Sequence, residues 1–216
     1  MGFSRGPKIV TDGLVLALDA GSKKSYPGSG DVWNDLSGNS SDVTLLNGPT
    51  FNVSGNGAIL FDGSNDDSNI SFSQISSDSG SIEVWVTRES ETTNAFVFGK
   101  VGDSTNRYYL RQPSTNTLDA VRGNPLVNAS FGTISVNTFY HLTMVWDSST
   151  VYAYTNGILN ESKSYTNPGT NISDGQLAAG PGNNMNMNLS IFKIYNRTLS
   201  AEEVLQNYNS TKSRFI

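Results

Sequence analysis

Apolar residues in this chain come in short bursts with a two-residue period, separated by clusters of Gly, Asn, Asp, Ser and Pro. In His141-Leu-Thr-Met-Val-Trp-Asp147 the alternation puts Leu142, Met144 and Trp146 on one face of a strand. After a turn at Asp147-Ser-Ser149, Val151 and Ala153 fall on one face of the next strand and Tyr152 and Tyr154 on the other. Asn156-Gly157 then separates two alternating runs. A type I′ turn needs positive φ at both central residues, which Asn and Gly tolerate, so the segment predicts a three-stranded meander. Ile82, Val84 and Val86 share a face, with Trp85 on the reverse. Apolar residues on both faces predict a strand buried between layers.

The same reading places further strands, giving runs at 14–19, 32–36, 58–62, 69–72, 81–87, 96–101, 108–112, 118–122, 140–147, 151–156, 158–164 and 188–195. No strand–helix alternation accompanies them, which disfavours a parallel α/β sheet. One helix is predicted, at 201–209. Ser200-Ala-Glu-Glu203 is a capping box, and Leu199 and Val204 hold the positions of a hydrophobic staple. So short a helix is marginal alone and must dock on a sheet. No linker divides the chain, so residues 12–216 read as one domain and 1–11 as an N-terminal arm.

Composition narrows the function classes. The 14 Lys and Arg against 19 Asp and Glu give a net charge of −5 with no basic run, a poor match for nucleic acid. Cysteine is absent, which removes disulfides and thiolate metal sites. No apolar run is long enough to cross a bilayer, so no membrane insertion is expected. The first residues lack the apolar core of a secretory signal.

Several motifs in fixed order resemble a known family. They are Asp12-Gly-Leu-Val-Leu-Ala-Leu-Asp19, Trp33-Asn-Asp-Leu-Ser-Gly-Asn39, Leu60-Phe-Asp-Gly-Ser64, Phe139-Tyr-His-Leu-Thr-Met-Val-Trp-Asp147, Tyr154-Thr-Asn-Gly157 and Ile191-Phe-Lys-Ile-Tyr195 with the helix behind it. Together they resemble laminin-G-like, concanavalin A-like lectin and glucanase domains. The resemblance implies an all-β fold, a jelly-roll sandwich of two antiparallel sheets with a short C-terminal helix. The leader Phe3-Ser-Arg-Gly-Pro-Lys-Ile-Val-Thr-Asp12 and the ending Asn207-Tyr-Asn-Ser-Thr-Lys-Ser-Arg-Phe215 resemble virion proteins of tailed bacteriophages. That likeness implies a virion location, capsid or tail proteins as partners, and homo-oligomers whose multiplicity offsets weak contacts.

The chemistry then sorts into three candidate sites and one exclusion. Retaining glycanases need two carboxylates flanking the scissile bond, commonly as Glu-x-Asp-x-x-Glu on a strand. Glu83-Val-Trp-Val-Thr-Arg-Glu89 has the wrong spacing, and Glu89-Ser-Glu91 lies at a strand end, so no catalytic residues are assigned and the chain reads as non-enzymatic. His141, the only histidine, has no nucleophile elbow to serve and reads as a strand residue packed near Trp146 or capping a carbonyl. Glycan binding needs aromatic platforms beside planar polar groups, for which Arg107, Tyr108, Tyr109, Arg111, Tyr152 and Tyr154 are candidates. Packing of the same tyrosines in the sandwich is the competing reading. Asp62, Asn65, Asp66 and Asp67 gather hard oxygens that suit calcium, though Asp-Gly-Ser-Asn is also turn chemistry. Asp19 and Asp35 are candidate extra ligands. In the arm, Phe3, Arg5, Pro7 and Ile9 are the candidate docking anchors, and loss of residues 2–10 is expected to spare the folded domain.

Overall fold

The computed structural model describes residues 7–54, 56–100, 108–114 and 116–216. In chain order its strands are β1 (Leu14–Asp19), β2 (Val32–Trp33), β3 (Val43–Leu46), β4 (Thr50–Asn52), β5 (Ala58–Asp62), β6 (Asp67–Ile75), β7 (Gly80–Arg88) and β8 (Ala95–Gly99). There follow β9 (Tyr108–Gln112), β10 (Thr117–Arg122), β11 (Val127–Thr133), β12 (Tyr140–Trp146), β13 (Thr150–Thr155), β14 (Ile158–Ser164), β15 (Ile172–Leu177) and β16 (Asn186–Tyr195). Helix α1 (Ala201–Thr211) and a 3-10 turn, Lys212–Arg214, close the chain.

The strands form two antiparallel sheets. The first runs β14-β13-β12-β7-β16-β5-β4, with β1 pairing along the far half of β16. The second runs β11-β10-β9-β8-β15-β6-β3-β2. Their facing sides make the core: Leu142, Met144 and Trp146 of the first sheet belong to one buried cluster with Trp33, Phe98, Leu110 and Phe131 of the second. Each fully buried large side chain contributes roughly 1.5–3 kcal/mol of apolar transfer energy. Gly80 is required beneath Trp146, because a methyl there would overlap the indole ring.

The predicted meander is present as β12-β13-β14. Asn156 and Gly157 both have positive φ, 52° and 80°. Val151 and Ala153 face the core, while Tyr152 and Tyr154 face outward. Ser200 accepts from the Glu203 amide, and Glu203 accepts from the Ser200 amide, completing the capping box. Four strands lie outside the predicted runs, β3, β4, β11 and β15, all short or rich in polar residues. The run at 32–36 shrinks to Val32–Trp33, since Asn34 and Leu36 give their amides to the Ser25 and Ala17 carbonyls in loop contacts.

At one side of the sandwich, the outer strands of the two sheets approach each other. Asn160 Nδ2 donates to the Ser130 carbonyl at 2.8 Å, and Ser130 N donates to Glu161 Oε2 at 2.8 Å. Thr155 Oγ1 donates to the Phe131 carbonyl at 2.7 Å. These side chains occupy edge groups that would otherwise invite another strand.

Every residue of β7 is buried, as the apolar pattern on both faces requires. The layer over its outward face is not a third sheet. It is α1, the residues after it, and the segment 8–10. Trp33 and Trp146 fill the space between the sheets, whereas Trp85 is buried on the outside, stacked against Phe215 at 4.2 Å and Tyr208 at 5.9 Å. His141 is therefore next to Trp85, not Trp146: it sits opposite Trp85 in the ladder, with ring centroids 5.3 Å apart.

Candidate functional site

Two outward faces carry concentrated chemistry. On the first sheet, Glu83, Trp85, His141 and Lys193 project from neighbouring strands under α1. Glu83 Oε1 lies 2.7 Å from Lys193 Nζ and 3.2 Å from His141 Nε2. Its Oε2 accepts from Asn207 Nδ2 of α1 at 2.6 Å. Asn207 Oδ1 in turn accepts from the Val10 amide at 2.7 Å, and the Tyr195 hydroxyl donates to the Val10 carbonyl at 3.1 Å. Burial by itself would raise the Glu83 carboxyl, but Lys193 and His141 outweigh it and hold the group at about 2. Burial pushes the Tyr195 phenol up, and the Glu83 charge adds to this. Glu83 is wholly enclosed, with both oxygens engaged. The carboxylate weighed as a glycanase acid thus serves packing between the sheet and its cover.

Tyr152 and Tyr154 belong to the same covered face. Tyr154 packs with Val10, Val145, Leu199 and Val204, and Tyr152 OH donates to Asp147 Oδ2 at 3.0 Å. As a glycan-platform candidate Tyr154 is corrected, since this packing buries its ring, while Tyr152 is half-buried at the edge of the same cluster. Of the arm anchors, Phe3 and Arg5 lie outside the described residues. Pro7 is exposed. Ile9 lines an apolar cleft of about 210 Å³ with Leu14, Leu18, Leu36 and Ile191. Gln206 Nε2 donates to the Lys8 carbonyl at 2.7 Å, so segment 8–10 is laid along α1 as part of the domain rather than held away from it.

On the second sheet, the outward face is exposed along β6 and β15. Along β6 the alternation buries Ile70 and Phe72 and exposes Asn69 and Ser71. Along β15 it buries Gly175 and Leu177 and leaves Asp174 and Gln176 half-exposed. Register sets Asp174 opposite Ser71 and Gln176 opposite Gly99. Lys100, just past β8, lies 2.9 Å from both Asp174 oxygens. These groups line a groove of about 380 Å³. Beside it Phe96 and Tyr109 stack at 4.4 Å and 15°, both buried. Gly99 permits this, since a Cβ there would sit 2.5 Å from Tyr109 Cδ1. Arg111 is half-buried on the same face, paired across the ladder with Asp119. Burial raises the Asp119 carboxyl, with Arg111 and Ser130 working against the rise.

Of the glycan candidates, then, Tyr109 and Arg111 lie on this outward side, Tyr109 buried in a cluster with Phe96 and Val121 and Arg111 half-buried. Tyr108 does not: it points into the core, and its hydroxyl donates to the Asp174 carbonyl beneath the groove. Arg107 lies outside the described residues. The polar groups of the groove, Asn69, Ser71, Lys100, Asp174 and Gln176, were not singled out from sequence. β15 escaped prediction, and only its pairing with β6 and β8 brings them together.

The acidic loop does not converge on a cation. Asp62 Oδ1 accepts from Ser64 N at 2.7 Å and Asp66 Oδ2 from Asp62 N at 3.0 Å, which are turn contacts. Asn65 is exposed, and burial raises the carboxyls of Asp66 and Asp67, with the charge of the neighbouring acid adding to each rise. Among the described residues no three His, Cys, Asp or Glu side chains are placed to hold a metal ion. Asp19 is instead paired with Arg214 at 2.8 Å. Asp35 binds the amides of Ala17, Ser37 and Ser41.

A family model, that of the concanavalin A-like lectin/glucanases superfamily, matches residues 62–205. The chain belongs to this superfamily. Solved structures agree on the lectin-like jelly roll. Domain 4 of an extracellular arabinanase from Geobacillus stearothermophilus, in complex with arabinotriose, superposes with a TM-score of 0.71 at 17% identity, over 90% of this chain and 98% of that one. The ligand-binding domain of botulinum neurotoxin serotype D, in complex with N-acetylneuraminic acid, gives 0.70 at 14% identity, over 94% of this chain and 52% of that one. A Trypanosoma rangeli sialidase in complex with sialic acid gives 0.69 at 14%, over 94% of this chain and 33% of that one. The lectin/glucanase-type domain thus spans about half of the toxin fragment and a third of the sialidase. At such identities the likeness is one of fold. A sequence search of curated proteins gives no match.

Proposed function

We propose that this domain is a non-enzymatic, lectin-like adhesive module that binds glycan on the outward face of its second sheet. The carrying observation is the groove in which Asn69, Ser71, Lys100, Asp174 and Gln176 converge. Amide, hydroxyl, ammonium and carboxylate groups together offer the donors and acceptors that sugar hydroxyls need. The covered position of Glu83 supports a role without catalysis, because no substrate reaches a carboxylate held by three partners. That the arabinanase domain and the toxin domain were solved with sugars bound supports the ligand class. The groove is shallow and its aromatic pair is buried, so each site binds weakly and function relies on several copies acting together.

The setting we propose is the surface of a tailed-phage virion, with capsid or tail proteins as anchoring partners and the chain as a homo-oligomer. Its support is the resemblance of the leader and of residues 207–215 to such proteins. A glycan array probed with the purified chain, with and without calcium, tests the binding reading. Binding that Lys100→Ala and Gln176→Ala both weaken is expected, without a calcium requirement. Retention of full binding by the double variant would move the site elsewhere. Co-sedimentation of the tagged chain with phage particles tests the setting.

A further inference from the structure

Resting on that glycan-binding reading, we infer that the groove takes uncharged sugars and that Asp174 is the residue that turns acidic ones away. The reason lies in how charge is arranged on the face. A sialic or uronic acid is held most strongly where a cation's charge is available to the sugar carboxylate. Among the described residues of this face, Lys100 is held at 2.9 Å by both oxygens of Asp174. Arg111 stands opposite Asp119 in the β9–β10 ladder. Of these two described cations, the one lining the groove, Lys100, is held in an ion pair by the protein's own acid, and Arg111 has Asp119 as its ladder neighbour.

An incoming carboxylate would have to displace Asp174 from Lys100 and then remain beside it, one negative charge against another, on a chain whose net charge is already −5. A neutral sugar meets no such conflict. Asp174 and Lys100 are 44% and 41% exposed at their side chains, so both retain open hydrogen-bonding positions toward solvent. Asp174 accepts from vicinal hydroxyls, Lys100 donates to a hydroxyl or ring oxygen, and the Asn69 and Gln176 amides do both. Rejection by a fixed acid is specificity through an unfavourable contact with the wrong ligand, and it needs no extra affinity for the right one.

The test compares retention of the chain on immobilised neutral arabinan, galactan and mannan with retention on polygalacturonate, alginate and sialyllactose beads. Asp174→Asn is run beside the wild type, and matched thermal unfolding checks that both are folded. The expected result is retention on a neutral glycan, insensitive to salt. Acidic beads should hold the wild type poorly and Asp174→Asn about threefold better, the scale of an exposed ion pair. Wild-type retention on acidic beads equal to or above that on neutral ones would overturn the inference and leave the glycan-binding reading standing. So would an Asp174→Asn variant with unchanged preference. Retention on no bead of either class would overturn the underlying reading, and the inference with it.

Discussion

Asn207, in the last helix, donates its side-chain amide to the buried carboxylate of Glu83, 124 residues earlier in the chain, at 2.6 Å. The same amide accepts from Val10, so one side chain ties the helix, the central strand β7 and the N-terminal segment together. Asn is disfavoured within helices because it competes for backbone hydrogen bonds. Here its placement has a tertiary cause: a fixed amide can donate to a carboxylate and accept from a backbone N–H at once, which no apolar residue can do.

Asn207→Ala should destabilise the domain by about 3 kcal/mol, since it leaves one oxygen of a buried carboxylate and one buried amide without partners. Urea unfolding measures this. The neighbouring Leu205→Ala, on the exposed side of α1, should change stability by no more than about 0.5 kcal/mol. Equal losses from both variants would show that α1 docks through its apolar contacts alone.

Acid should weaken the fold through Glu83. Its carboxyl is lowered in the folded state from 4.5 to about 2, so the stabilisation is complete above about 4.5 and is lost as pH falls toward 2. The shift corresponds to about 3 kcal/mol. Glu83→Gln removes this acid-sensitive limb and is less stable at neutral pH, because the buried Lys193 ammonium then lacks its counter-charge. Denaturation midpoints recorded from neutral pH down to the acid range for both proteins check the sign. A wild-type curve as flat as that of the variant would contradict it.

A chain starting at Thr11 should still fold, as the sequence led one to expect, but with a lower urea midpoint, corresponding to about 2 kcal/mol less unfolding free energy. It loses the Val10 amide and carbonyl from the Asn207–Tyr195 network and the Lys8 carbonyl from Gln206. Amide exchange in α1 should quicken at the same time. An unchanged midpoint and unchanged exchange would make segment 8–10 an appendage after all.

Wherever local rules were sufficient, the elements could be read from the chain alone. Alternation placed β12 and β13 with the correct faces inward, Asn156-Gly157 announced its turn, and Ser200 with Glu203 announced the helix start. These depend on spacing over a few residues, which the backbone geometry of strands, turns and helix ends translates directly. Strand β15, Ile-Ser-Asp-Gly-Gln-Leu, was illegible for the same reason: its polar half faces solvent and its Gly carries no pattern, and it becomes a strand only between β6 and β8. The groove was hidden with it. Whether Tyr152, Tyr154, Trp85 and Glu83 would meet solvent or cover was equally undecidable from spacing. An outward face is defined by its strand, but what lies on it depends on where distant segments return, and here α1 and residues 8–10 return to the first sheet, while β6 and β15 of the second keep exposed outward residues.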